Sequence, residues 1–296
     1  MKILAIGCVF ESHSFIVSDF CHIDSESKVI NYSSCVDGAA VVVSSVGTWL
    51  NDSCVMLTKG SLTSSFISLF DLLNSVNIKV DLLPQINNGN NKLFSFFNSE
   101  SERMCYSYIP CEIKASELIS YDFSHYDAVF FCCLPYDELS AVFSSNYSLK
   151  DTCTIIVGSG LTHTYFCEKS FLLPADFIFM NRGELFEIYQ KKYENTDDVE
   201  ICISNLLLGS TSVVVTMGHD GIAGIITGDY FSFSVSPVDV IDPAGAGDSF
   251  ATGFIHSFLQ GKSVEQCCKK GHECAIKMLS VVGAEGFIRK YMLNQT

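Results

Sequence analysis

Short, continuously apolar runs alternate with longer helical candidates along most of this 296-residue chain. Runs of this kind suit strands that are covered on both faces, as the strands of a parallel sheet are. The repeated strand-then-helix order predicts right-handed crossovers and a doubly wound α/β fold with a mainly parallel sheet. The strand candidates are 2–7, 54–57, 128–132, 154–157, 177–180 and 212–216. The helix candidates are 39–50, 63–76, 184–193, 198–208, 247–260 and 263–279.

Two regions interrupt this alternation. Residues 14–33 and 87–108 show shorter alternating patterns with polar residues and no clear helix. They predict strands of a small accessory sheet that lies over the strand ends as a lid. The chain shows no internal repeat and no low-complexity linker, so we expect residues 1–296 to form a single domain with these two lid insertions.

The composition limits the possible partners and the cellular location of the protein. The net charge of −15 argues against nucleic acid or an anionic membrane as a partner, but backbone N–H groups and a divalent cation can still hold a nucleotide. No apolar run approaches the ~20 residues that span a membrane. The 14 cysteines are scattered, without a Cys-x-x-Cys pair, and indicate free thiols in a reducing cytoplasm. Residues 1–8 loosely resemble a lipoprotein signal, but a first strand fits them better.

The segment VIDPAGAGDSF, residues 240–250, carries the strongest functional signal. Gly245 and Gly247 allow a sharp turn, and the helix that follows offers unpaired N–H groups and a positive dipole end to an anion. Asp248 lies on the same turn, where a carboxylate could accept a proton during phosphoryl transfer. An ordinary capping aspartate at a glycine-rich turn gives the same pattern. These residues alone leave both interpretations open.

Two further motifs follow predicted strands. Asn181-Arg182-Gly183-Glu184 opens a helix and can be a capping box or part of a metal site. The segment from Thr216 to Gly221 closes a strand and begins a glycine-rich turn. Each motif is weak by itself.

In their order and spacing, the three motifs resemble those of the ribokinase (PfkB) family of carbohydrate kinases. The resemblance extends over nearly the whole chain and implies a ribokinase-like fold. It implies ATP-dependent phosphorylation of a hydroxyl on a small sugar-like or nucleoside-like metabolite. Asp248 would be the catalytic base, and the loop would form the anion hole through Gly245, Ala246 and Gly247.

The same resemblance implies the cofactor sites. Asn181 and Glu184 match the family motif that holds Mg²⁺. The positions expected around ATP are Thr216, Gly218, Gly221 and Asp242, the last of which is expected to shape the turn. Many relatives dimerise through the lid sheet, which leaves a homodimer of this kind open.

The acceptor pocket departs from the family pattern. The usual glycine pair reads Asp37-Gly38, and a usual asparagine falls on Val42. A usual aspartate falls on Ser12, beside Glu11. We therefore expect substrate contacts from Glu11, Ser12, Asp37 and Gly38, while the substrate stays unidentified. The alternative function is a non-catalytic ligand-binding or regulatory member of the same fold, although retention of Asp248 favours the active kinase.

Overall fold

The computed structural model describes residues 1–21, 24–60, 63–84, 89–98, 103–146, 149, 154–158, 175–190, 198–206 and 210–293. Its strands are β1 (Lys2–Gly7), β2 (Phe10–Val17), β3 (Val29–Asp37), β4 (Ser53–Thr58), β5 (Lys79–Leu82), β6 (Asn91–Phe97), β7 (Arg103–Tyr108), β8 (Ala128–Cys132), β9 (Thr154–Val157), β10 (Phe177–Asn181), β11 (Ser212–Thr216), β12 (Ile222–Ile226) and β13 (Asp229–Phe233). Its α-helices are α1 (Ala39–Trp49), α2 (Ser64–Ser75), α3 (Ala115–Leu118), α4 (Tyr136–Ser145), α5 (Arg182–Gln190), α6 (Val199–Leu206), α7 (Ala246–Leu259), α8 (Val264–Leu279) and α9 (Gly283–Phe287).

A nine-stranded main sheet forms the centre of the molecule, in the order β5-β4-β1-β8-β9-β10-β11-β12-β13. The strands from β5 to β11 are parallel, and β12 and β13 add an antiparallel edge. From β1 the chain winds outward through β4 and β5, then returns to β8 and winds the other way. The predicted doubly wound, mainly parallel α/β fold is therefore confirmed.

The predicted elements agree with the observed ones, apart from small shifts at their ends. The structure begins α5 at Arg182 instead of 184, because Asn181 caps it. The predicted ends of two helices, residues 191–193 and 207–208, lie outside the described residues.

The parallel strands inside the main sheet are buried on both faces, as their continuous apolarity predicts, while the edge strand β5 is partly exposed. In β1, Ile3 and Ala5 point to the layer that holds α1, α2, α7, α8 and α9. Leu4 and Ile6 point to the opposite layer, which holds α3 to α6. The described cysteines are free thiols, and most are buried. Within the described ranges no helix is long and apolar enough to cross a membrane.

A four-stranded small sheet, in the order β3-β2-β6-β7, accounts for the two interrupting regions. It is wider than predicted, because the β2–β3 ladder runs from the pair Phe10↔Asp37 to the pair Val17↔Val29. The predicted insertion 14–33 therefore missed residues 10–13 and 34–37, at the Phe10↔Asp37 end of the ladder. The second insertion, 87–108, corresponds to β6 and β7. Residues 22–23, 87–88 and 99–102 of these insertions lie outside the described residues.

Helices α7 and α8 pack with unusually close backbones. A Cβ at Gly253 would lie 2.6 Å from Cys274 Sγ and 2.8 Å from the Lys270 carbonyl oxygen. On the facing helix, a Cβ at Gly271 would lie 2.7 Å from the Phe250 carbonyl oxygen. The position of α7 on the sheet therefore depends on these two glycines.

We expect Gly253→Ala to lower the free energy of unfolding by about 1 to 3 kcal/mol, because its methyl group must push α7 and α8 apart. Gly247→Ala, in the same helix, is the matched control, since its Cβ meets no atom within 4 Å. It should stay within about 1 kcal/mol of the parent or be slightly more stable. Urea denaturation measures both. Equal stabilities of the two variants would contradict the close packing.

Candidate active site

The topological switch point of the main sheet lies between β1 and β8. In doubly wound sheets the ligand cleft lies at the carboxyl ends of the strands at this point. Here those ends are Gly7 and Cys132, which face each other in the register. A Cβ at Gly158, just after β9, would lie 3.6 Å from Asp248 Oδ1. The Asp248 carboxylate therefore lies at the end of the neighbouring strand β9.

The glycine loop before α7 has the conformation that its sequence predicts. Gly245 caps the helix with a left-handed backbone (φ 75°), and a Cβ there would lie 2.9 Å from Val42 Cγ2. The first α-helical hydrogen bond runs from the Ser249 N–H to the Gly245 carbonyl, at 2.9 Å. The N–H groups of Gly247 and Asp248 precede this bond and belong to the open helix end, where anions bind.

Asp248 is a half-buried carboxylate in an acidic environment. Burial first, and then the charges of Glu184 and Asp37, raise its pKa to about 7, while its own backbone N–H opposes the rise. Burial and then the Asp248 charge also raise the pKa of the thiols of Cys132 and Cys133, so the end of β8 flanks this group. A carboxylate whose pKa lies near neutrality can act as a general base.

Asp242 shapes the loop, as expected from its motif position. Its Oδ1 accepts a hydrogen bond from the Ala244 N–H at 2.9 Å, and its Oδ2 accepts one from the Gly283 N–H at 3.2 Å. Its two oxygens are thus bonded to the backbone on either side. The expectation that Asp242 also contacts ATP stays a prediction.

Asn181 and Glu184 form a reciprocal capping box at the start of α5. The Asn181 N–H donates to Glu184 Oε2 at 2.8 Å, and the Glu184 N–H donates to Asn181 Oδ1 at 2.9 Å. Asn181 pairs with Thr216 in the parallel register, which brings the two predicted cofactor motifs together. The capping role is therefore observed, and a metal role, which can coexist with it, stays a prediction.

The turn after β11 can be built only with glycine at its end. Gly218 and Gly221 have positive φ angles of 61° and 100°. A Cβ at Gly221 would lie 2.2 Å from the Phe233 carbonyl oxygen. The turn therefore packs directly on the chain that leaves β13.

An apolar cavity of about 390 Å³ opens beside this turn. Its wall brings together two predicted groups, the turn after β11 and the glycine loop at Ala246 and Gly247. Sequence reasoning missed the rest of the wall, which comes from residues 235–240 and from α8. His272 of α8 is the notable polar group, and burial lowers its pKa. The lining residues include Thr216, Gly218, Gly221, Ile222, Val235, Pro237, Val238, Val240, Phe250, His272, Ala275 and Leu279.

The four expected substrate residues do not share one surface. The register pairs Phe10 with Asp37 and Glu11 with Val36, so Glu11 lies on the opposite face of the small sheet from Asp37 and Ser12. The Glu11 carboxylate accepts a hydrogen bond from Asn90 at 2.8 Å. The expectation of substrate contacts from these residues stays a prediction, and the register requires that Glu11 would act from the other face of the small sheet than Asp37.

Gly38 begins α1 at a crowded position. A Cβ there would lie 2.5 Å from the Cys8 carbonyl oxygen. The chain leaving β1 therefore crosses directly over the start of α1, and Gly38 is required for that approach.

The comparison with known sequences decides the family. The pattern described as pfkB family carbohydrate kinase matches residues 118–290, more than half of the chain. The chain belongs to the pfkB family of carbohydrate kinases. The three motifs after β10, after β11 and before α7 all lie inside the matched range.

Individual members of the family are similar over shorter segments. An uncharacterized sugar kinase of Archaeoglobus fulgidus is 36% identical over 112 residues, which cover 37% of this chain and 42% of that protein. The fructoselysine 6-kinase of Escherichia coli is 36% identical over 76 residues, or 26% of this chain and 29% of the kinase. These matched segments thus span less than half of either relative.

Similarity in structure extends much further than similarity in sequence. The crystal structure of a ribokinase from Cryptococcus neoformans in complex with ADP gives a TM-score of 0.79 at 14% identity, over 97% of this chain and 96% of that one. The ribokinase-like fold is therefore confirmed for this pfkB-family chain.

We expect Glu184→Gln to separate the two roles of the Asn181–Glu184 motif. The glutamine oxygen can still accept the Asn181 N–H, so the melting temperature should change by less than about 2 °C. Loss of the charge should raise the Mg²⁺ concentration for half-maximal ATP turnover by about tenfold. A magnesium titration measures this, with Glu187→Gln on the same helix as the control. An unchanged requirement would leave Glu184 with its capping role alone.

Proposed function

We propose that this protein transfers the γ-phosphoryl group of ATP to a hydroxyl of a small sugar-like or nucleoside-like metabolite. The observation that carries the proposal is the position of Asp248. Its half-buried carboxylate, with a pKa near 7, shares the first turn of α7 with the backbone N–H of Gly247, which borders an apolar cavity. Family membership supports a kinase, and the names of the relatives support both sugar and nucleoside acceptors.

The two halves of the reaction need different groups, and the proposed site offers both. The Asp248 carboxylate takes the proton of the acceptor hydroxyl as that oxygen attacks the γ-phosphorus. The bond from the phosphorus to the β-phosphate oxygen breaks, which leaves ADP. Charge on the transferring phosphoryl group meets the N–H groups of Ala246, Gly247 and Asp248, whose positions are set before the reaction.

The cavity next to this loop fits the base and sugar of the nucleotide. Its wall is mostly apolar, as ligand pockets usually are, and it lies between the Gly218–Gly221 turn and the start of α7. A nucleotide in this cavity can place its phosphates against the helix end. We therefore propose that Thr216, Gly218 and Gly221 line the ATP site.

The residues of the capping box suit Mg²⁺ by their chemistry. Asn181 and Glu184 carry oxygen donors, which Mg²⁺ prefers. Across the described residues, no three His, Cys, Asp or Glu side chains surround one point, which fits an ion that keeps most of its waters. We propose that both residues hold Mg²⁺ through water. When bound, the ion neutralises charge on the phosphate oxygens.

The small sheet has a partly exposed aromatic face that supports a homodimer through the lid. His13 stacks on Phe94 with ring centroids 5.2 Å apart, and Phe15 stacks on Phe96 at 4.9 Å. Tyr32, next to both, is 51% exposed. Large exposed apolar patches commonly mark interaction surfaces. A monomer in sedimentation equilibrium at micromolar concentration would exclude the homodimer.

We expect Asp248→Asn to abolish phosphoryl transfer, with a loss of kcat of about 10³-fold or more, because the amide cannot accept the hydroxyl proton. ADP affinity should stay within about threefold, since the N–H groups remain. ADP release against a panel of sugars, sugar phosphates, amino sugars and nucleosides measures turnover. A variant that turns over at the parental rate would remove Asp248 from the mechanism. Silence of the parent protein across the panel, with ADP bound, would favour the non-catalytic alternative.

Stability should respond to pH through the same residue. The folded-state pKa of Asp248 lies above its ordinary value, so its contribution to stability is present at low pH and is lost as the pH rises through about 7. At pH 8 we therefore expect Asp248→Asn to be more stable than the parent by about 1 to 3 kcal/mol. Near pH 4 the variant and the parent should have equal free energies of unfolding. Thermal unfolding from pH 4 to 8 measures this difference in stability. A difference that does not grow with pH would contradict the raised pKa of Asp248.

A further inference from the structure

Two carboxylates from distant parts of the chain meet the start of α9. The Ala284 N–H donates to Asp37 Oδ2 at 3.1 Å, and the preceding Gly283 N–H donates to Asp242 Oδ2 at 3.2 Å. Asp37 also accepts the Gly38 N–H at 2.7 Å, through Oδ1. Each carboxylate therefore links its own segment to one of two consecutive amides at the start of α9.

This arrangement, which we call the α9 joint (Asp37, Asp242, Gly283 and Ala284), links three functional segments. Asp37 ends β3 of the small sheet and immediately precedes α1, while Asp242 belongs to the glycine loop. Gly283 has a φ of 59°, and a Cβ there would lie 2.8 Å from Asp37 Oδ2. With so little room, the small sheet cannot move relative to the glycine loop without breaking a bond of the joint.

The charges around Asp37 show how close the joint lies to the reaction centre. The pKa of Asp37 is raised to about 6, mainly by burial; its two N–H partners oppose the rise, and the charges of Asp242 and Glu285 add to it. The Asp37 charge in turn acts on Asp248. Asp37 therefore lies near the proposed base, although each of its oxygens already accepts a backbone N–H.

We propose that Asp37 is a positioning residue, whose carboxylate holds the start of α1 and the base of the small sheet on α9 and thereby sets the glycine loop against the acceptor. This inference rests on the proposed function. The side chain of Val42, in the first turns of α1, contacts Gly245 of the loop, so a shift of α1 moves the loop directly. The earlier expectation of a substrate contact from Asp37 becomes an indirect role.

The test compares Asp37→Ala and Asp37→Asn with Asp19→Asn, which removes an exposed acid just after β2 of the same sheet. In Asp37→Ala, hydrogen–deuterium exchange should accelerate at residues 283–284 and at Ser249, whose N–H makes the first hydrogen bond of α7, to Gly245. The kcat should fall about tenfold or more, with a smaller change in the KM for ATP, because only the glycine-loop part of the cavity wall shifts. Asp37→Asn, which keeps one acceptor oxygen, should fall between Asp37→Ala and the parent.

The outcomes distinguish failure of the positioning role of Asp37 from failure of the proposed kinase function. Unchanged exchange at Ser249, or unchanged kcat in Asp37→Ala, overturns the positioning role. Equal losses of kcat in Asp19→Asn and Asp37→Ala also overturn it, because they would indicate a general effect of the small sheet. If the parent protein shows no turnover, the proposed function fails on its own, and exchange at Ser249 still decides whether Asp37 holds the loop.

Discussion

The arrangement of the site depends on how closely α7 packs against α1 and α8. Gly245 turns in a left-handed conformation with its backbone pressed on Val42, and Gly253 lets α7 lie almost backbone to backbone on α8. Larger side chains at these positions would lift the helix from the sheet. Because the helix is seated this way, its open N–H groups and Asp248 reach the edge of the sheet where the winding direction changes.

The electrostatics of this edge follow from that geometry. The pKa of Asp248 is raised toward neutrality by burial and by the charges of Glu184 and Asp37. The first turn of α7 adds the positive end of the helix dipole. We propose that this acidic site binds phosphates through N–H groups and a hard cation instead of lysine and arginine. The net charge of −15 agrees with that mode of binding.

Much of the fold and part of the site could be predicted from the sequence, for physical reasons. Continuous apolar strands and the glycine-rich start of α7 are local signals, so main-sheet strands such as β1, β8 and β11 and the conformation of Gly245 agree with prediction. The α9 joint could not be predicted, since Asp37 and Ala284 meet across 247 positions of sequence. The cavity wall at Val235 and His272 was missed because neither carries a local motif. That Glu11 and Asp37 lie on opposite faces of the small sheet could not be predicted either, since the face depends on strand register and register depends on pairing.

The central claim is that the open first turn of α7 holds the phosphates of a nucleotide. The most direct measurement is the calorimetric affinity of a non-hydrolysable ATP analogue and of adenosine for the parent protein and Gly247→Ala. The added methyl group meets no protein atom, so the variant should fold normally, and we expect the methyl to enter the space proposed for the phosphates. The analogue affinity should weaken about tenfold or more, and adenosine affinity, which depends on the whole cavity wall, should change by less than about threefold. Equal affinity of both proteins for the analogue would contradict it.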